Sequence, residues 1–363
     1  MRTLRLPAGV SARERGRIHG ESFREPIHAI ARIRTELAVS QGKLRTEAAV
    51  LAAAEAHLPI VAAFDEALSE ELLGIAEGAD LDPARIVVLN HYTDLKDLGP
   101  EALPSVIDEA VIDEDCSALI AKTQEGVVLG QTWDMHGSAA PYVAMLHVPE
   151  HEGAPAAWLL TITGCLGMAG MSAAGVGVTI NNLRSNDARV GVVWPALVRR
   201  MLREREPEAA KHVLMTAPMS SGHHYIVGSA ERAYGVETSG ALKSVVFETE
   251  WGSGESAYVH TNHCVEGSEV ARVSSVAPTS TTRERYAWLT ESVARRPIES
   301  AADLFARLGS HEGFPRSVCT HLASAAEPHA MLTCGGVVMD LSAKRIWAAP
   351  GCIHEVAPSE FSF

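Results

Sequence analysis

The spacing of apolar residues changes along this chain near residue 115, and the change limits the folds open to it. Before it the pattern is helical. Ser11 is placed to cap a helix running through Arg32 and beyond, and residues 51–77 are rich in Ala and Leu with apolar positions three and four apart. Asp82-Pro83 opens a third, short helix, with proline in a first-turn position where its missing N–H costs little. Residues 98–114 form an acidic, proline-containing stretch that reads as an exposed linker.

Beyond that stretch the pattern is that of strands. Residues 116–123 and 127–133 flank Gln124-Glu125-Gly126, a good hairpin turn. Further strands are expected at 142–148, 157–163, 176–181, 225–229, 234–238 and 242–248, with helices at 194–205 and 208–215 among them. Helices return at 282–294 and 301–308, and a last hairpin joins 337–340 to 345–348. Antiparallel meanders with helices grouped around them predict a layered α+β fold, an αββα sandwich.

Composition narrows the function classes. With 363 residues, 47% of them hydrophobic, the chain buries a sizeable core as one large domain or two. A formal charge of −14 with no Lys/Arg cluster makes nucleic acid an unexpected partner. The start of the sequence has no apolar signal-like run, and no stretch reads as reaching the roughly 18 apolar residues of a membrane span. No membrane partner is therefore expected, and a cytoplasmic location is. The six cysteines are scattered without a CxxC pair, so a disulfide scaffold is not expected and a structural zinc site lacks its usual spacing.

Several chemistries fail on their motifs. Gly170-Met171-Ser172-Ala173-Ala174 misses the last position of a G-x-S-x-G elbow, and Gly164, Gly167 and Gly170 are wrongly spaced for a dinucleotide fingerprint. His260-Thr261-Asn262-His263-Cys264 offers metal-type ligands, but on a strand residues 260 and 263 point to opposite faces. No metal and no cofactor are expected.

What remains is Cys116, in Asp115-Cys116-Ser117-Ala118, followed by Gly130-Gln131-Thr132-Trp133-Asp134 and later by Val259-His260-Thr261-Asn262-His263-Cys264. Taken singly, a cysteine opening a strand reads as core. The ordered set resembles the acyl-coenzyme A:isopenicillin N (6-aminopenicillanic acid) acyltransferase family, the autoproteolytic cysteine branch of the N-terminal nucleophile hydrolases. Ile18-His19-Gly20, Gly74-Ile75-Ala76-Glu77-Gly78-Ala79, 86–90 and 175–178 extend the resemblance over nearly the whole chain.

The resemblance implies an αββα fold and self-cleavage between Asp115 and Cys116, giving an α fragment (1–115) and a β fragment (116–363) that stay associated. It implies a cysteine amidohydrolase or acyltransferase. Such an enzyme opens a linear amide, or takes an acyl group from a thioester such as acyl-coenzyme A, and passes it to water or an amine. Small acylated amines are the expected substrates. Asp134 matches the family's Trp-Asp motif and is expected to orient the Cys116 amine, Asn262 matches its oxyanion donor, and Arg283 an arginine supporting the nucleophile. His223 and His224 fall where family members place pocket residues, although taken as residues alone they read as exposed. Trp133 and Trp194 read as core. An uncleaved, silent relative that binds a small ligand is the reading from another class. Two positions depart from the pattern. Asp115 stands where penicillin-forming members have Gly, and Ala326-Glu327-Pro328-His329-Ala330 lacks their Ser-Arg pair, so penicillin chemistry is not expected.

Overall fold

The computed structural model describes residues 1–99 and 115–363, so the expected acidic linker lies, from residue 100 onward, outside the described residues. A short strand β1 (Arg2–Arg5) leads into five helices: α1 (Ala12–Ser22), α2 (Arg24–Gln41), α3 (Glu47–Phe64), α4 (Glu66–Ala79) and α5 (Pro83–Asp97). Four of them open on a side-chain oxygen that accepts an orphan backbone N–H: Ser11 from Glu14, Thr46 from Ala49, Asp65 from Leu68 and Asp82 from Ala84.

These local choices correct the helix boundaries read from the sequence. The run from Ser11 breaks at Phe23 (φ −128°, ψ 28°), and the long 51–77 segment is two helices, because Asp65 turns extended (φ −157°, ψ 104°) to cap α4. The third helix, α5, is 15 residues rather than short. Contrary to the expectation for membrane-length runs, α3 is long and apolar enough to cross a membrane by length and composition. Its Val50, Ala54, His57 and Val61 are nevertheless buried against the rest of the protein.

Helices α1 and α4 touch through glycines on both sides. A Cβ on Gly16 would lie 1.9 Å from the Glu71 carbonyl oxygen, and one on Gly20 2.4 Å from that of Ile75. From the other helix, a Cβ on Gly74 would lie 2.1 Å from the Arg13 oxygen and one on Gly78 2.0 Å from the Arg17 oxygen. No other residue type fits this approach. It carries Glu71 into the interior, where Arg199 (2.7 and 3.0 Å) and Arg15 (3.4 Å) neutralise it. Burial works against that carboxylate, and the two guanidinium groups more than reverse the effect, holding its pKa low.

The rest of the described chain forms two sheets and four helices. In chain order these are β2 (Ala118–Lys122), β3 (Val127–His136), β4 (Val143–Val148), β5 (Ala157–Ile162), β6 (Ala169–Ser172), β7 (Gly177–Ser185), α6 (Trp194–Met201), α7 (Pro207–Thr216), β8 (Gly222–Gly228), β9 (Arg232–Thr238), β10 (Lys243–Glu250), β11 (Ala257–His260), β12 (Ser274–Ser275), α8 (Thr282–Arg295), α9 (Ala301–Leu308), β13 (Met331–Asp340), β14 (Arg345–Pro350) and β15 (Ser359–Phe361). One sheet runs β1-β4-β5-β6-β7-β8-β9-β10, with β12 paired to β7; the other runs β11-β2-β3-β13-β14-β15. The hairpins expected at 116–133 and 337–348 are both present; β3 runs three residues further than predicted, β13 starts six residues earlier and β14 ends two residues later. The unexpected strands β1, β6, β11, β12 and β15 have four residues or fewer, too few to carry a pattern of their own.

Side-chain alternation explains the layering. Ala118, Ile120, Val127, Leu129, Val337 and Met339 point into the core between the two sheets, while Leu119, Ala121, Val128 and Val338 pack outward with Leu289 of α8 and Leu304 and Leu308 of α9. The smaller sheet is therefore buried on both faces. Helices α5, α6 and α7 cover the opposite face of the larger sheet. Helix, sheet, sheet, helix is the expected αββα sandwich.

Replacing Gly16 or Gly74 by Ala forces the α1–α4 seam apart. We expect either change to cost at least about 1–3 kcal/mol, the usual range for overpacking, read from urea denaturation midpoints. An unchanged midpoint would refute the tight seam.

Candidate active site

Residues 115–117 extend β2 along β3 before the regular strand begins. Thr132 N–H donates to the Ser117 carbonyl (2.9 Å), Ser117 N–H donates to Thr132 Oγ1 (2.9 Å), and Asp134 N–H donates to the Asp115 carbonyl (3.0 Å). The Asp115–Cys116 peptide bond is thus pinned to the neighbouring strand with both residues buried. Its other polar groups are also held. Cys116 N–H donates to Asn262 Oδ1 at 2.7 Å, and the Cys116 carbonyl accepts from Asn181 Nδ2 (3.1 Å) and Arg285 Nη1 (2.9 Å).

Arg285, in the first turns of α8, joins these segments. Besides the Cys116 carbonyl it donates to Ser117 Oγ (2.8 Å), Thr281 Oγ1 (3.0 Å) and Asn262 Oδ1 (3.1 Å), and it lies 3.0 Å from Asp115 Oδ1. Ser280 and Thr281 hydroxyls complete a cradle for the Asp115 carboxylate at 3.3 and 3.4 Å. Across the site, Asp134 accepts from Thr132 (3.0 Å) and Thr333 (2.7 Å).

The electrostatics oppose a thiolate. Burial, then the charge of Asp134, pushes the Cys116 thiol well up from its ordinary value, against the pull of the Asp134 backbone N–H and Arg285. Burial also raises Asp115 despite Arg285, and it raises Asp134 to about 7. Cys116 is therefore held as a protonated thiol beside a carboxyl that titrates near neutrality.

A cavity of about 30 Å³ adjoins Cys116, lined by Thr93, Trp133, Met135, Ile180, Trp194 and His223 among others. That is room for little more than a water molecule, whose share of liquid volume is about 30 Å³. His223 Nε2 bonds Asp94 at 2.9 Å, while its buried Nδ1 has no partner among the described residues.

The structure moves several of the residues picked from sequence. Arg283 is exposed and lines a separate groove with His263 and Cys264; the arginine that reaches Cys116 is Arg285, two residues on. Two residues are about 200° apart on a helix, so only one of the pair faces the site. Asn262 reaches Cys116 as expected, but it turns its carbonyl oxygen there and donates Nδ2 to the Asn182 carbonyl (3.0 Å). An uncut amide nitrogen is a donor and requires an acceptor. Asp134 sits beside Cys116, with its backbone N–H on the preceding carbonyl. His223 and His224 are buried, not exposed. His223 lines the cavity, whereas His224 backs the site, contacting Asn181 Oδ1 (3.0 Å) and Tyr258 OH (3.1 Å) and stacking on His260. Trp133 and Trp194 are core residues that also line the cavity. His260 turns to Glu237 and His263 to the hydroxyls of Thr261 and Thr282.

Sequence reasoning missed Asn181, Ser280, Thr281 and Thr333, which carry no motif. Thr132 had a usable signal, since it shares a strand face with Asp134 by alternation.

Comparison with known proteins gives the family. Residues 121–350 match the family model of acyl-coenzyme A:6-aminopenicillanic acid acyl-transferase. The chain belongs to that family. It is 27% identical over 256 residues to the acyl-coenzyme A:6-aminopenicillanic-acid-acyltransferase 40 kDa form of Emericella nidulans, a match covering 69% of this chain and 66% of the relative, just under two thirds of its length. Among solved structures, the Caenorhabditis elegans ortholog of N-acylethanolamine-hydrolyzing acid amidase is 11% identical over 68% of this chain and 100% of its own, with a TM-score of 0.45. A mutant of conjugated bile acid hydrolase from Clostridium perfringens is also 11% identical, over 68% and 97%, with a TM-score of 0.47.

The raised pKa of Asp134 gives a signed pH effect. A carboxyl that holds its proton more tightly when folded stabilises fully below its unfolded pKa of about 4, and that stability is lost as pH rises through about 7. Asp134→Asn should remove this term, so the melting temperature of the wild type relative to the variant should fall between about pH 4 and pH 7. A difference independent of pH would contradict the assignment.

Proposed function

We propose that this member of the acyltransferase family cuts its own chain between Asp115 and Cys116 and then acts through Cys116 as an N-terminal cysteine amidohydrolase or acyltransferase. The observation that carries the reading is the grip on the uncut peptide. Its carbonyl oxygen accepts from a backbone N–H of β3, where charge develops on attack, and its nitrogen faces Asn262 Oδ1.

In the first step the Cys116 sulfur attacks the Asp115 carbonyl carbon. The C–N bond breaks, the thiol proton passes to the departing nitrogen, and Asp115 becomes a thioester on Cys116. Asp134, titrating near neutrality beside the thiol, suits the relay of that proton. Water then cleaves the thioester, returning the thiol and leaving a free α-amine.

That amine supplies what the uncut site lacks. An α-amine with a pKa of about 7.7–8.0 takes the thiol proton within one residue's reach, and its positive charge favours the thiolate that Asp134 opposes. Asn262 Oδ1 remains as an acceptor to orient it. The thiolate then attacks a substrate carbonyl, and the amine or thiol leaving group departs with a proton. Water or an acceptor amine takes the acyl group from sulfur.

The lining of Trp133, Met135, Ile180 and Trp194 favours a largely apolar acyl group, and His223 Nδ1 offers it one polar contact. Small acylated amines, or acyl thioesters such as acyl-coenzyme A, match this lining in polarity, and would need the cavity to open beyond its present volume of about 30 Å³. The two fragments would remain together, since β1 pairs with β4, Asp94 bonds His223, and Asp97 bonds Ser221 (2.7 Å) across the cut. The six free thiols suit a reducing, cytoplasmic setting.

Intact-mass spectrometry tests the reading. Wild-type protein is expected as two fragments, one ending at Asp115 and one beginning at Cys116, with Cys116→Ala whole and Asn262→Ala cut on the order of 10²-fold more slowly. A wild-type chain that stays whole on incubation, with no acyl adduct trapped on Cys116, would favour the silent ligand-binding relative instead.

A further inference from the structure

Outside the catalytic site, four metal-type ligands converge where the sequence gives no sign of them. His311 follows α9, Cys319 and His321 lie in the loop before β13, and Cys352 follows the β13–β14 hairpin. Their donor atoms all lie within 4.8 Å of one another. The two sulfurs are 3.8 Å apart, Cys319 Sγ is 3.5 Å from His321 Nε2, and Cys352 Sγ is 3.4 Å from His311 Nε2.

These distances have a specific meaning. Around a tetrahedral zinc with Zn–S of about 2.3 Å and Zn–N of about 2.0–2.1 Å, two sulfurs stand about 3.8 Å apart and a sulfur and a nitrogen about 3.5–3.6 Å. These three distances thus already match ligands around one ion, and the remaining pairs lie within 4.8 Å. A disulfide is a different geometry, with sulfurs bonded at about 2.05 Å. Two thiolates and two imidazoles are a soft donor set that suits zinc and not magnesium or calcium.

We propose that His311, Cys319, His321 and Cys352 bind one structural zinc ion. With four protein ligands the coordination is complete, so no position remains for a water or substrate. Scattered spacing hid the site, because Cys352 reaches it only once the β13–β14 hairpin folds back. Gly351, in the left-handed region at φ 69°, makes the turn that delivers it.

The ion would also brace the catalytic carboxyl. Thr320, between two of the ligands, donates its N–H to Thr333 Oγ1 (2.8 Å) and accepts from Thr333 N–H (2.9 Å), and Thr333 Oγ1 donates to Asp134. The metal is a staple on the loop that holds the partner of Asp134.

The test uses the full chain, expressed with zinc and purified without chelators or metal-affinity resin. Elemental analysis is expected to give about one zinc per chain, and exchange with cobalt to give thiolate-to-cobalt charge-transfer bands with strong tetrahedral d–d absorption. Cys352→Ser and His321→Ala should lose both signals and melt at lower temperature, and chelation should lower the wild-type melting temperature towards theirs. Cys116→Ala should bind as the wild type does, which separates this proposal from self-cleavage. If the ligand variants fail to fold, the wild-type metal content and cobalt spectrum decide alone. A wild type that retains no metal after loading and desalting, or a Cys319–Cys352 disulfide in protein purified under reducing conditions, would overturn it.

Discussion

A guanidinium taken out of water has five N–H donors to satisfy, and Arg285 directs them to three separate stretches of chain. Two buried carboxyls, Asp115 and Asp134, and a buried thiol would otherwise share a low-dielectric space without a countercharge, which proteins do not tolerate. Arg285 meets Asp115 directly and lowers the cost of Asp134 at longer range. By doing so it fixes the first turns of α8, the segment preceding β2 and the Asn262 loop relative to each other. An aspartate at position 115, anomalous when only the sequence is considered, is thereby matched: its carboxylate has an arginine and two hydroxyls waiting.

Most of the architecture was legible because strands buried on both faces leave short, continuous apolar runs bounded by turns. Residues 118–121 and 127–129 send successive side chains to two different cores, so they read as strand whatever their partners are. The lost elements are those whose identity comes from a neighbour: β1 exists because β4 offers an open edge, β11 because β2 does. The helix breaks at Phe23 and Asp65 were equally hidden, since continuing apolar spacing masked a change of axis. At the site, Asp134 and Asn262, which stand in quoted motifs, lie beside Cys116, and the residues defined only by geometry went unseen. Arg283 and Arg285 show the reason. Only the rotation of α8 against the sheet decides which arginine turns inward, and no local pattern encodes that rotation.

On the proposed function, the packing around Cys116 would keep its thiol quiet until the chain is cut. Its thiol is protonated by burial and by nearby acids, its amide nitrogen has no lone pair to offer as a base, and the adjoining cavity is about 30 Å³. Under the same proposal, the carbonyl the thiol would meet first is that of the preceding residue, held by the Asp134 N–H.

The first strand carries a consequence for the order of events during synthesis. Arg2 through Arg5 pair in parallel with Ala144 through His147, so the opening residues have no strand partner until the ribosome has made the first two-fifths of the chain. Contacts of such long sequence separation are the slowest to form, because the intervening loop must close before they return any stability. The helices between them can form earlier from local signals, while the nascent end waits. Seating of β1 would then report that β4 is in place, making this strand a late addition to the edge of the larger sheet.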